Sequence, residues 1–467
     1  MIKVFKLISP VLVMMCIGCV YQTSYGALPE AYLQPFAKDS LWNSKPQNPV
    51  FSDFIIPTSD YFPSIHNGQY STGCFLATES DPPMKVKGTK GQIGVFDADA
   101  ETKDPEITLP HWPADLTAAS GGDGHADIFD IPNGIIHSFW QLKKVDGEWR
   151  ATHHGWMPMQ GTGWADAAHY HQGARATGIP ACAGIIRKHE IENGQPYYLH
   201  ALAISLTHNS LSANPPYVFP ATISDRFVDK NIGPISEGSL LMLPPGFDVN
   251  TIKTPEIKKI AKTLQIYGAY VVDENYGTPY VIYVERGGNL DVHKGLWNNT
   301  AAEELHYLRK NLRKVVQTSG YKDADGNLFK PNQNVNVLSL RGPWSLESGP
   351  ALGKYDTYKQ AIIFADGSRK TTQSNESGRS MHTVLWARPK KGAQYKLTVK
   401  ATGGAQLNFK VLDASTRKLA YETGMLSDGQ SVSFAWPIDA FIPKIVVVSG
   451  SIPNSSVSAT MIKEDQP

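Results

Sequence analysis

The chain is 467 residues long, with 41% hydrophobic and 19% charged residues and a formal net charge of +1. It is too apolar for a disordered chain and too evenly charged for a nucleic-acid binder. Glycine (40) and proline (32) show no collagen period, no coiled-coil or multispanning pattern is present, and the length matches about three average domains with room for a large core.

At the N-terminus, Lys3 and Lys6 precede an apolar run over 7–20, and Ser24 and Gly26 supply small residues before Ala27. This layout predicts a signal peptide over 1–26 and an exported protein, periplasmic or extracellular. A second reading is a lipoprotein signal that anchors the chain at Cys19 through Ile17-Gly18-Cys19, with Cys16 where leucine is usual. The apolar run is below the ~18 residues of a membrane span. Cleavage leaves Cys74 and Cys182, which form either one disulfide or two buried thiols.

Residues 27–115 are rich in turn formers. From 120 to 290, short β-branched runs at 135–142, 197–206, 270–273 and 279–284 alternate with Gly, Pro and Asn. They read as strands, and an antiparallel sandwich or jelly roll fits their spacing. Two helices interrupt them. Thr254-Pro255 is a start signal ahead of the stripe Ile257, Ile260, Ala261 and Leu264, with Gly268 as the stop. Thr300 with Glu303 is a capping box ahead of Leu305, Leu308, Leu312 and Val315. Residues 321–335 read as a linker whose turn is Asp323-Ala324-Asp325-Gly326-Asn327; the EF-hand spacing is missing. Runs at 395–401, 407–412, 431–436, 445–448 and 456–462 predict a second β-domain. The expected organisation is an all-β jelly-roll or β-sandwich main domain with two accessory helices over 27–320, then a C-terminal β-sandwich over 336–467.

Ten of the fourteen histidines lie between His111 and His208, together with Trp112, Trp140, Trp149, Trp156 and Trp164. Imidazoles titrate near neutral pH or bind metal, and indoles stack on sugar rings, so this stretch is the best site region. If extended, Asp123, His125 and Asp127 share one face and Asp130 lies on the other. By the same alternation His169 and His171 make half of a divalent-metal site, with no clear third ligand. No other cofactor is implied. The chain carries no Gly-x-Ser-x-Gly elbow, HExxH, Walker loop or dinucleotide turn.

Asp123 and His125, Gly178-Ile179-Pro180, Gly184-Ile185-Ile186-Arg187 with Glu190, and His200-Ala201-Leu202 follow one another in order. With Tyr217-Val218-Phe219-Pro220-Ala221 and the segment 261–272, this pattern resembles a broad group of exported bacterial carbohydrate-active proteins with a β-rich, jelly-roll-like domain. The similarity covers about 120–285 and implies fold more than reaction; the 166–172 segment looks like an insertion relative to the group.

The expected function is therefore a secreted polysaccharide-degrading enzyme. Hydrolysis needs two facing carboxyls, from Asp123, Asp127, Asp130, Asp166 or Glu190. Elimination needs a group that neutralises a uronate, a base and an acid, and the excess of His, Tyr and Arg favours it. The expected catalytic residues are His125, Arg187, Glu190 and His200: a histidine to move the proton, Arg187 to hold an anionic sugar, Glu190 to orient. Trp140, Trp156, Trp164, Arg175 and Tyr198 are expected to bind substrate. The partner is a polysaccharide, and the rival reading is a non-catalytic glycan-binding surface protein.

Overall fold

The computed structural model describes residues 28–464 apart from 90, 92, 167–168, 347–348, 350, 375–380 and 382–383. The expected signal segment, with Cys16 and Cys19, lies outside the described residues. Among those described, no helix is long and apolar enough to cross a membrane.

The chain is predominantly β, with the two expected accessory helices. A six-stranded sheet runs Cys74–Ala77, Ala126–Asp130, Ile135–Trp140, His153–Pro158, Val95–Asp97, Thr102–Asp104 in spatial order. A seven-stranded sheet has Leu240–Met242, Ala269–Glu274, Leu202–Leu206 and Tyr280–Tyr283 at its centre. Both sheets are mixed rather than purely antiparallel: Cys74–Ala77 runs parallel to Ala126–Asp130, and Leu202–Leu206 parallel to Ala269–Glu274.

The period of two decides how the layers stack. Leu202, Ile204 and Leu206 face the helices, in one core with Ile257, Ile260 and Leu264. Ala201 and Ala203 face the other way, in a core shared with Phe129, Ile136 and Met157 of the six-stranded sheet. The seven-stranded sheet is thus sandwiched between the helices and the six-stranded sheet.

The helix Pro255–Ile266 buries the expected stripe. It stops because Gly268 takes φ +78, where a Cβ would meet Leu240, the Leu241 carbonyl and Met242 at 2.7 Å. The second helix, Asn299–Asn311, starts earlier than its expected capping box. Asn298 is the cap, its side chain accepting the Ala301 N–H at 3.3 Å, and Val315 belongs to the next strand, Arg313–Gln317. Glu304 reaches across instead, accepting the Lys253 N–H at 2.6 Å and the Thr254 N–H at 3.2 Å.

The expected linker contributes strands: Gly320–Lys322 pairs with both Lys45–Gln47 and Leu328–Phe329. Beyond it, a ten-stranded antiparallel sheet encloses its own core of Trp344, Phe364, Leu397, Phe409 and Trp436. It is fastened to the preceding part of the chain. Asp99 accepts hydrogen bonds from Thr357 and Gln360, Lys354 pairs with Asp104 at 2.8 Å, and Trp386 Nε1 donates to the Ala221 carbonyl at 2.7 Å.

Candidate active site

The hairpin formed by Ile135–Trp140 and His153–Pro158 sets Phe139 opposite His154 and His137 opposite Trp156. Cross-strand partners share a face, and three groups line up there. His137 Nδ1 lies 3.0 Å from His154 Nε2, and His137 Nε2 lies 3.4 Å from Asp130 Oδ2. His111 Nδ1 and the Asn133 amide also bond Asp130, at 2.9 and 2.7 Å. Burial alone would raise the Asp130 carboxyl, but the bonds from His137, Asn133 and His111 win and hold it near 2. Asp130 is therefore an acceptor only. Where His137 gives its Nε2–H to Asp130 and its Nδ1 accepts from His154 Nε2–H, Nδ1 of His154 is the lone-pair nitrogen. Burial, reinforced by His137 and His153, holds His154 well below the usual histidine range and keeps it neutral.

His154 lines a cavity of about 410 Å³ where the six-stranded sheet meets the C-terminal sheet. Asp97, Asp104, Lys354, Asp356 and Tyr358 line it too. Asp97 accepts the backbone N–H groups of Asp99 and Ala100 at 2.9 and 3.1 Å, yet burial dominates and pushes its carboxyl up to about 6. Tyr358, 53% exposed, stacks on Trp156 with ring centres 5.2 Å apart. Trp156 is fixed by an Nε1 bond to Thr357 at 3.0 Å. The cavity thus holds a neutral base, a carboxyl protonated near pH 6, a lysine and an aromatic shelf.

Of the residues expected to be catalytic, three come together and one stands apart. Arg187 donates from Nε to Glu285 at 3.0 Å and from Nη1 to the Tyr32 carbonyl at 2.9 Å. Its guanidinium lies over the rings of Tyr32 and Phe129. Glu190 accepts the Arg187 backbone N–H at 2.9 Å and His200 Nε2 at 3.1 Å. Despite its burial, His200 is raised by the Glu190 charge. The cavity that touches Arg187 and His200 holds about 30 Å³. His125 sits elsewhere, buried, with Nδ1 3.3 Å from the Phe139 carbonyl; burial first, then Arg175, lowers it to about 3.

The residues expected to bind substrate also scatter. Only Trp156 meets the 410 Å³ cavity, through Tyr358. Trp140 donates to Asp123 at 3.1 Å. Trp164 stacks on Trp42, 5° from parallel, and lines a different 560 Å³ cavity with Trp386. Tyr198 is buried beneath Lys259. Arg175 pairs with Asp273 at 2.9 Å over the Tyr283 ring, and its Nε and Nη2 are buried without a hydrogen-bond partner among the described residues.

The expected extended run from Asp123 to Asp127 is broken, because Gly124 takes φ +49 and the strand starts at Ala126. His169 and His171 separate. His169 Nδ1 lies 2.6 Å from Gln172 Nε2, and its Nε2 lies 3.2 Å from Asp99 without a hydrogen bond, whereas the His171 ring packs on His153. Among the described residues no group of three or more His, Cys, Asp or Glu could hold a metal ion. Cys74 and Cys182 are both buried free thiols. Asp97, His154 and Tyr358 were missed by the site expectation. The available signal was the pairing of two histidine-bearing segments, 135–140 and 153–158, as one hairpin.

No family model matches the chain, and no curated protein matches it. Among solved structures, a glycosylation-associated protein complex from Streptococcus agalactiae is 14% identical with a TM-score of 0.18; the match covers 24% of this chain and spans only 39% of that one. Accessory secretory protein 1, 2 and 3 of Streptococcus pneumoniae is 12% identical, over 29% of this chain and 99% of that one, with a TM-score of 0.20. The N-terminal cellulose-binding domain of a Cellulomonas fimi β-1,4-glucanase is 10% identical, over 27% of this chain and 90% of that one, with a TM-score of 0.17.

Proposed function

We propose that this protein is an exported polysaccharide-degrading enzyme that works by proton transfer in the 410 Å³ cavity, with β-elimination favoured over hydrolysis. The observation that carries the reading is the Asp130–His137–His154 chain, which ends in a neutral imidazole at the cavity wall. A base held in one tautomer by an anchored carboxylate is suited to abstract a proton. In elimination, the C5–H proton of a uronate passes to His154 Nδ1. Its electron pair forms the C4=C5 double bond, the C4–O bond breaks, and the leaving oxygen takes a proton from Asp97. Lys354 would have to exchange its Asp104 partner for the sugar carboxylate, and Tyr358 on Trp156 is the shelf on which a ring stacks. Hydrolysis is less favoured because Asp104 is committed to Lys354 and the base is an imidazole. Arg187, Glu190 and His200 act as support in this reading, since the 30 Å³ hole beside Arg187 and His200 admits only about one or two waters.

The second reading, a glycan-binding protein without catalysis, draws on the half-exposed Tyr358 shelf. A panel of polysaccharides incubated with the protein separates the two. New ultraviolet absorbance from a double bond means elimination, reducing ends without it mean hydrolysis, and retention on a glycan without either means binding alone.

A further inference from the structure

A cavity of about 560 Å³ lies between the end of the strand His153–Pro158, the loop over 161–166, the segment 329–336 and the turn Leu385–Ala387. Its volume falls within the roughly 300–1,000 Å³ of small-ligand sites. None of its lining residues is shared with the His154 cavity. Trp164 forms part of its wall, with Trp42 covering one face of the indole and Tyr270 meeting it edge-on. Trp42 and Trp386 donate from their indole nitrogens to the Gly163 and Ala221 carbonyls. Trp164 Nε1, by contrast, is buried without a hydrogen-bond partner among the described residues. A buried donor without an acceptor is a standing cost, and the cavity that this ring borders is the space from which an acceptor can come.

The rest of the lining selects that acceptor by its chemistry. Phe219, Phe329 and Trp386 line the cavity and are half-buried rather than core residues. Trp386 stands at 88° to Phe219 with ring centres 5.0 Å apart, and its bond to Ala221 fixes it there, so an aromatic corner is preformed. Asn332 and Asn336 commit their side-chain oxygens to backbone N–H groups, which leaves their amide nitrogens as the donors they offer. Asp39 and Asp166 supply acceptors, and among the described lining residues Lys330 is the one lysine or arginine. Two carboxylates against one lysine disfavour an anion, so a nucleotide or an acidic sugar meets repulsion. An acyl chain leaves the polar groups unpaired. Donors and acceptors set around an aromatic corner suit a molecule that carries both hydroxyls and flat C–H faces.

We infer that this cavity is a binding site for a neutral sugar of one or two rings, with a sugar oxygen accepting the Trp164 N–H and a ring against the Phe219–Trp386 corner. The inference goes beyond the degradation reading, because it names a sugar class on which the elimination chemistry does not act and uses none of the residues of the His154 cavity. The test is isothermal titration calorimetry of the whole protein with cellobiose, mannobiose and N,N′-diacetylchitobiose. At least one should bind at one site per chain, an excess of digalacturonate should not displace it, and His154→Ala should bind it as wild type does. Trp164→Phe keeps a ring on Trp42 and removes the donor, and Phe329→Ala trims the wall on the edge strand Leu328–Phe329. Each, with its fold checked by circular dichroism, should bind at least about tenfold more weakly, the scale of one hydrogen bond or one ring contact. Where Trp164→Phe does not fold, Phe329→Ala alone decides. Absence of binding by all three sugars overturns the inference, as does displacement by digalacturonate or full binding by every folded variant. Loss of binding in His154→Ala overturns it too, by moving the sugar to the other cavity. Elimination on the polysaccharide panel is a separate readout, so either reading can fall without the other.

Discussion

Replacing Arg187 with methionine should cost about 3–5 kcal/mol of stability, the scale for breaking a buried ion pair from one side. The structure shows why. Methionine keeps much of the volume but removes the Nε bond to Glu285, the Nη1 bond to the Tyr32 carbonyl, and the contact with two aromatic faces. Glu285, whose side chain is 2% exposed, then retains, among the described residues, the Lys188 backbone N–H at 3.0 Å and the Lys188 ammonium at 3.5 Å. Most of the loss is thus the cost of stranding a carboxylate rather than the worth of the pair itself. Arg187→Met/Glu285→Met removes both charges and should recover at least about 2 kcal/mol relative to the sum of the single changes. Urea unfolding followed by tryptophan fluorescence gives these differences as midpoint shifts at constant slope. An Arg187→Met protein within about 1 kcal/mol of wild type, or a double variant costing the full sum, refutes the reasoning.

Three further outcomes follow from the same packing. His200 should titrate above the usual histidine value near 6.5. Its folded pKa is raised, so its stabilisation is complete below that value and is lost as pH rises through the folded pKa; Glu190→Gln should bring its NMR titration below wild type. His153 behaves in the opposite sense, since burial lowers it to about 4: the protein should lose about 1.4 kcal/mol per pH unit on its account between about pH 6.5 and 4, and His153→Gln should flatten urea midpoints across that window. Gly268→Ala puts a Cβ 2.7 Å from three neighbours at φ +78, so it should cost more than about 1 kcal/mol and lower the thermal midpoint, whereas an unchanged midpoint means the helix ends by other means.

The helices were legible because a stripe such as Ile257, Ile260, Ala261 and Leu264 needs only local spacing and one apolar face to bury. The β-rich class was legible for the same reason, and so was the opposition of Asp127, which binds Thr72, to Asp130, which binds His111 and His137. Partners distant in sequence were not. Asp97, His154 and Tyr358 meet only because Val95–Asp97 runs parallel beside His153–Pro158 and the C-terminal sheet folds back over both. Periodicity tells which side chains share a face, but not which faces stack. Local pattern also did not name the partner of the Arg187 guanidinium. Glu190 bonds the Arg187 backbone and His200, while the guanidinium turns to Glu285, 98 positions away.

The central claim is that His154 is the base. The measurement that bears on it most directly is the rate of new ultraviolet absorbance on a cleaved acidic polysaccharide, compared between wild type and His154→Ala. The account predicts at least a ~100-fold fall in rate in protein that circular dichroism shows to be folded. Wild-type rates from His154→Ala would contradict it.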